Sequence, residues 1–524
     1  MKKFRAIVAL TAAGALLAGC SANSNANSAD SGDDAPVSLT AAYSEGGTTL
    51  NPYEANDVTS DTFVLAAYDQ LVTYDTEVVD GQATAKTDSI SPMLAESWDV
   101  DDDATEYTFH LRDDVTFQSG NPLTSADVVG SLDLIKASSS ASFLYDMAGI
   151  DSYEAVDDHT VTITLTGPNH LFLQILPMYS FSIVDTALVD ENGGADWLAQ
   201  NTAGSGPYVL DSWDPATEAA LTRNDDYWGA EPQIDDVTVR FVSEASNRVQ
   251  LLSRGEVGLA LELPAKDVAT LEDTDGVVID SRASNKELFF AMNNEIAPFD
   301  DPKVRQAISY AIPTDALIDD VMQGQASPMT SSVPSSMPGF DDSTYAYHED
   351  LDKAKELLTE AGYPDGFTFD FTLGGGFQDW ADDAVLIQAE LAKIGVTMNI
   401  TNMARAQFLD ALDTRQVQAY ISRWTSFVND PGYHLGLLLT TDTSSNYMNY
   451  SNAEVDALWE KAAAEPDVDV RNEYYAQMQA LITEDAPWAY LYEYNIVVGL
   501  QEGTTGYTSY PDGIVRFAQL SVED

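Results

Sequence analysis

Only one cysteine, Cys20, occurs in 524 residues, so no intramolecular disulfide can form and no thiolate cluster can hold zinc. Positive charge is also scarce: 24 Lys and Arg stand against 85 Asp and Glu, a net charge of −61 spread along the chain. So acidic a surface repels phosphate backbones, which excludes nucleic acid as a partner. Five histidines, at 110, 159, 170, 348 and 434, are scattered, and no two share a helix face at metal-ligand spacing. The Gly-x4-Gly-Lys-Ser/Thr and Gly-x-Gly-x-x-Gly loops that cradle phosphates are missing, as are Gly-x-Ser-x-Gly and His-Glu-x-x-His. No cofactor, no metal and no catalytic residue follows from such a pattern. Asp99, Asp101 and Asp103 begin like a calcium loop, but Ala104 takes the place of its glycine and His110 that of its last glutamate, so a solvated acidic turn is expected.

Apolar runs long enough to span a bilayer are missing too, and the one near-candidate has another reading. Lys2, Lys3 and Arg5 precede a short apolar stretch over residues 6–17, and Leu17-Ala18-Gly19-Cys20 reads as a lipoprotein cleavage box. The expectation is a signal segment over residues 1–20, with lipidation at Cys20 supplying the membrane attachment. Residues 21–36 are small, polar and acidic, the composition of a flexible tether.

The remaining chain is 44% hydrophobic in composition and long enough for two or three domains with sizeable cores. Val37, Leu39 and Ala41 alternate into a first strand. Tyr107, Phe109 and Leu111 alternate likewise, and after a turn at 118–122 Thr124 and Asp127 have the spacing of a helix capping pair, followed by an apolar stripe of Val128, Val129, Leu132 and Ile135. Gly204 and Gly206 permit a sharp reversal into a hairpin. Asp301-Pro302 opens a helix with Val304, Ala307, Ile308 and Ala311 on its buried face. Between 350 and 424, helix-turn-strand units repeat, which implies an α/β lobe with parallel pairings.

Three blocks carry a resemblance: LAESWDVDDDATEYTFHLRDDVTFQSGNPLTSADVV from residue 94, GSGPYVLDSWDPATEAALTRNDDYWG from 204, and NNEIAPFDDPKVRQAISYAIPTDALI from 293. Together and in this order they resemble the bacterial extracellular solute-binding proteins of the oligopeptide, dipeptide and nickel class, family 5. The resemblance implies an α/β, two-lobed, periplasmic-binding-protein-like (Venus flytrap) fold with an extra subdomain in the first lobe. Its expected divisions are lobe I over 37–285, lobe II over 286–494, and a return to lobe I over 495–524. It further implies a monomeric, extracytoplasmic binding protein, not an enzyme, that closes over a peptide and hands it to ABC permease subunits with their ATPases. The implied ligand-binding positions are Gly46, Gly47 and Thr48 in the opening segment, Asn293, and Trp424, Ser426, Phe427, Asp430 and Tyr433 in SRWTSFVNDPGYHLGLLL.

Here the chain departs from the peptide binders it resembles. Their aspartate that pairs with the ligand's α-ammonium lies three residues after the tryptophan, and that position is Phe427. A buried ammonium needs a paired charge. Either Asp430 or a carboxylate from elsewhere takes the role, or the ligand has no free amino terminus there. Trp424, Phe427 and Tyr433 could instead offer stacking surfaces to an oligosaccharide, or simply pack in a core. A secreted hydrolase and a surface adhesin are the readings from other classes.

Overall fold

The computed structural model describes residues 36–79 and 82–523. The expected signal segment, Cys20 and all of the expected tether but Pro36 lie outside the described residues. The strand Ser38–Tyr43 opens the body and pairs in parallel with Asp236–Phe241 on one side and Leu259–Ala260 on the other.

The strand Glu106–Leu111 buries Tyr107, Phe109 and Leu111 on one face, and joins Ala95–Val100, Thr160–Leu165 and Ile150–Asp157 in a four-stranded antiparallel sheet. The helix Ser125–Ala137 follows with the expected capping box: the Thr124 N–H donates to Asp127 Oδ2 at 2.9 Å. Val128, Leu132 and Ile135 are buried in its stripe, while Val129 is only half-buried. In the acidic turn before that sheet's second strand, Asp101 Oδ1 accepts from Thr105 N at 2.7 Å and Glu106 N at 2.8 Å, so the turn is closed by its own backbone.

The expected repeats are present as Leu351–Glu360, Thr368–Gly374, Gln378–Lys393, Thr397–Met403, Arg405–Asp413 and Ala419–Thr425, with the three strands paired in parallel. Phe369, Phe371, Ile387 and Leu391 meet in a core formed by residues between Leu288 and Tyr494. Two further cores belong to the rest of the chain, one running from Tyr53 to Ala203 and one joining Leu39–Leu261 to Val498–Leu520.

Two long strands, Val277–Met292 and Trp488–Gln501, tie these bodies together inside an eleven-stranded sheet. They pair antiparallel from Val277 to Ala283, lose register, and resume from Glu287 to Ala291. The lost register leaves Ser284, Asn285 and Lys286 out of the ladder at the passage from one body to the other, where the sheet has fewest bonds to resist bending. Sequence reasoning gives Gly204 and Gly206 a turn role, but neither has positive φ. They are small because the end of the helix Val58–Ala67 lies on them: a Cβ on Gly204 would stand 2.0 Å from Ala67 O, and Gly206 N donates to that oxygen at 2.9 Å.

Candidate functional site

The strand Ala419–Thr425 carries Trp424 out of the second body, paired with Glu287. The chain then leaves the ladder. Ser426 N donates to Asn285 O at 3.0 Å, Asn285 Nδ2 donates to Asn429 Oδ1 at 2.8 Å, and Asp430 caps the helix Pro431–Leu438 by accepting from Gly432 N at 2.7 Å. Pro431 fits because the first helical turn needs no donor there. Between these anchors the loop reaches into the other body. Val428 and Tyr433 are buried inside the core that otherwise runs from Tyr53 to Ala203, and Phe427 stands edge-on to Tyr179 with ring centres 6.4 Å apart. The Trp424 ring packs 6.3 Å from Tyr433, and its Nε1 is buried with no hydrogen-bond partner.

Polar contacts fix the same crossing. His170 Nε2 lies 3.3 Å from Asp430 Oδ1 and 2.9 Å from the Tyr475 hydroxyl, which itself donates to Asp430 Oδ1 at 3.0 Å. Arg471 Nη2 stands 4.0 Å from the other carboxylate oxygen. Burial pushes the Asp430 carboxyl up, but the His170 bond and charge, the Gly432 N–H and the Arg471 charge outweigh it, leaving the group below the usual carboxylate range. Asp430 is thus engaged by the chain itself.

Ser426 is engaged as well. It is fully buried, with Oγ 2.9 Å from His434 Nδ1, and His434 Nε2 stands 2.7 Å from Glu287 Oε1, off the line of a straight hydrogen bond. Burial raises the Glu287 carboxyl, and His434 opposes that rise. Directly across the crossing strands from Glu287 is Glu493, which accepts from Ser335 N at 2.9 Å and from the Ser335 hydroxyl. Burial is the main cause that lifts Glu493 to about 7; the Ser335 bonds resist, and the Glu287 charge adds to the rise. The fold therefore holds this proton more tightly than the unfolded chain does. Stability from this group is full below its ordinary value near 4.5 and is lost as pH rises through about 7. Glu493→Gln is expected to flatten that fall, worth about 3 kcal/mol at most, seen as a smaller difference in Tm between pH 5 and pH 8 than in the wild type.

Gly46, Gly47 and Thr48 form a turn stitched to the start of the helix Val58–Ala67. Gly46 O accepts from Trp213 Nε1 at 2.6 Å, and a Cβ on Gly46 would lie 2.0 Å from Pro215 O. Gly47 has φ +77°, and Thr48 N and Oγ1 reach Ser60 Oγ and Asp57 Oδ2 at 2.9 and 2.7 Å. Asn293 stands apart. It follows the far end of the strand that pairs Trp424, and its amide is used up by Arg415 O, Val417 O, Glu295 N and Asn449 Nδ2. The structure brings Trp424, Phe427 and Tyr433 together across the two bodies, holds Ser426 and Asp430 behind them in polar networks, and uses Asn293 to tie loops. Sequence reasoning singled out neither Asp61, Tyr179 and Tyr475 nor the pairing roles of His170 and Glu287; each meets its partners only through the tertiary fold. A cavity of about 670 Å³ opens beside the register break, lined by Asn285 and Asn429 on one side and by Lys86 and Tyr510 on the other.

The profile of the bacterial extracellular solute-binding proteins, family 5 Middle, matches residues 89–446. The chain belongs to this family. Among curated relatives, the glutathione-binding protein GsiB of Escherichia coli O157:H7 is 30% identical over 532 residues, covering 99% of this chain and 98% of that protein. The D,D-dipeptide-binding periplasmic protein DdpA of Escherichia coli (strain K12), so named as probable, is 29% identical over 473 residues, 88% of this chain and 90% of DdpA. Among solved structures, the periplasmic binding protein DppA of Helicobacter pylori in complex with the peptide STSA superposes with a TM-score of 0.80 at 29% identity, covering 93% of this chain and 99% of that one. The fold is accordingly the two-lobed α/β fold of family 5 binding proteins, and the two bodies joined by the crossing strands are its lobes.

Proposed function

We propose that this chain is the peptide-binding component of an ABC importer, taking a peptide between its lobes and presenting the closed form to the permease and its ATPases. The observation that carries this reading is the reach of Phe427, Val428 and Tyr433 from one lobe into the core of the other. Contacts made from both lobes are what a ligand needs in order to shift a hinged protein toward its closed form. The printed ligands of three relatives, glutathione, a D,D-dipeptide and the peptide STSA, support peptide as the class. The division we adopt places lobe I at 37–285 and 495–524 and lobe II at 286–494, with the register break as hinge. Lipidation at Cys20 would hold the monomer on the extracytoplasmic face of the membrane, and it rests on the cleavage box alone.

An oligosaccharide is less well served. The rings that would stack on sugar are turned to one another, Trp424 to Tyr433 and Phe427 edge-on to Tyr179. The test is a thermal-shift panel of mixed peptides of two to six residues against mixed oligosaccharides. At ~100 times its dissociation constant a ligand adds about 2.7 kcal/mol, so peptides are expected to raise Tm by several degrees. Stabilisation by sugars alone would overturn the peptide reading, and turnover of either would favour a hydrolase.

A further inference from the structure

Asp61 lies in the first turn of the helix Val58–Ala67 and is 3% exposed. Its Oδ1 is buried with no hydrogen-bond partner among the described residues. A carboxylate in that state is costly unless something supplies a donor or a positive charge. The neighbouring groups do not. Asp57 is used by Ser60 N and Thr48 Oγ1. Arg516, the nearby cation, donates to both oxygens of Asp512 at 2.9 and 2.6 Å and covers the Tyr510 ring at 4.2 Å.

The direction in which Asp61 faces is set by helical spacing. Val64, Leu65 and Tyr68 follow at i+3, i+4 and i+7, and all three pack on the core that receives Val428 and Tyr433 and carries Phe427 on its edge. Tyr179 of that core meets Phe427 and lies within the electrostatic reach of both Asp61 and Tyr433. The unpaired carboxylate is therefore on the lobe I side of the crossing, opposite the position where the peptide binders this chain resembles carry theirs on lobe II.

We infer that Asp61 holds the α-ammonium of the bound peptide, in an aromatic frame of Tyr179, Phe427 and Tyr433. This rests on the peptide reading above. The carboxylate has changed lobes: Phe427 supplies a wall where an aspartate would have stood, and the charge comes from the first turn of a lobe I helix. Closing the lobes then brings the ammonium onto Asp61, so a free amino terminus becomes a condition for stable closure rather than a contact made in the open form. Burial is the first cause that pushes the Asp61 carboxyl well up, with Asp57 and Asp512 adding and Arg516 opposing, and an arriving ammonium would relieve it.

The experiment titrates the wild type and Asp61→Asn with the peptide mixture of two to six residues and with the same mixture acetylated at its amino termini, alongside thermal unfolding of each protein without peptide. The wild type is expected to prefer free amino termini by about 30-fold or more, the cost of truncating one partner of a buried charge pair. Asp61→Asn is expected to bind both mixtures alike while unfolding, without peptide, at a temperature no lower than the wild type. An Asn variant that keeps the full preference would overturn the inference and leave the peptide reading standing. A wild type that binds neither mixture would overturn the peptide reading and this inference with it. Loss of thermal stability in the Asn variant, together with an unchanged preference in Asp61→Ser, would make Asp61 a structural residue and overturn the assignment.

Discussion

Replacing His434 by leucine is expected to cost about 3–5 kcal/mol of folding stability. His434 and Glu287 are both fully buried and their charged atoms stand 2.7 Å apart, with no water-facing side from which either could be solvated. Removing the imidazole leaves a carboxyl in the interior whose nearest acid, Glu493, faces it across the strand pair, and leaves the Ser426 hydroxyl without its partner. The packing loss from the ring over Trp488 adds to this. The second half of the prediction separates charge from packing: the double variant His434→Leu with Glu287→Leu should recover most of the loss, because an apolar pair needs no compensation where a lone acid does. Urea midpoints for the wild type, both single variants and the double variant give the cycle. Equal loss in the single and double variants would mean that the two residues do not act as a pair.

That pair also shows where reading the sequence stops. The period of two at Tyr107, Phe109 and Leu111, the Thr124–Asp127 cap and the repeats between 350 and 424 are local patterns, and the structure forms them close to the expected boundaries because nothing distant has to be known. The Asp430-Pro431 helix start was equally readable. What Asp430 touches was not, because His170 lies 260 residues away and Tyr475 45 residues away. Asn293 looked like a cleft residue until its amide was accounted for bond by bond, and Ser426 until His434 was found on its hydroxyl. The departure at Phe427 was visible in the sequence, and so was the need for an acid elsewhere. Among 85 acids, only burial without a partner distinguishes Asp61.

Asp430→Ala is expected to be the most damaging single change in the crossing loop, again about 3–5 kcal/mol, and to weaken peptide binding beyond what stability explains. Three losses coincide. The helix Pro431–Leu438 loses its cap, Tyr475 loses the acceptor for its buried hydroxyl, and Arg471 and His170 lose their carboxylate. Asp430→Asn separates them, since asparagine caps a helix as well as aspartate does and can still accept from Tyr475, while the charge is gone. His170→Gln goes further and touches only the bond between lobes, leaving the cap and Arg471 in place. If that bond helps hold the closed form, His170→Gln should lower peptide affinity with little change in Tm, and Asp430→Ala should lower both. The pH sign follows from the Asp430 carboxyl lying below its ordinary value of 3.8: its contribution is present above that value and is lost only as pH falls further, through the folded group's own pKa. At neutral pH the latch is fully charged on the Asp430 side, so titrations at pH 7 read its whole effect. Unchanged affinity in His170→Gln would show that the loop's apolar reach, through Phe427, Val428 and Tyr433, closes the lobes without it.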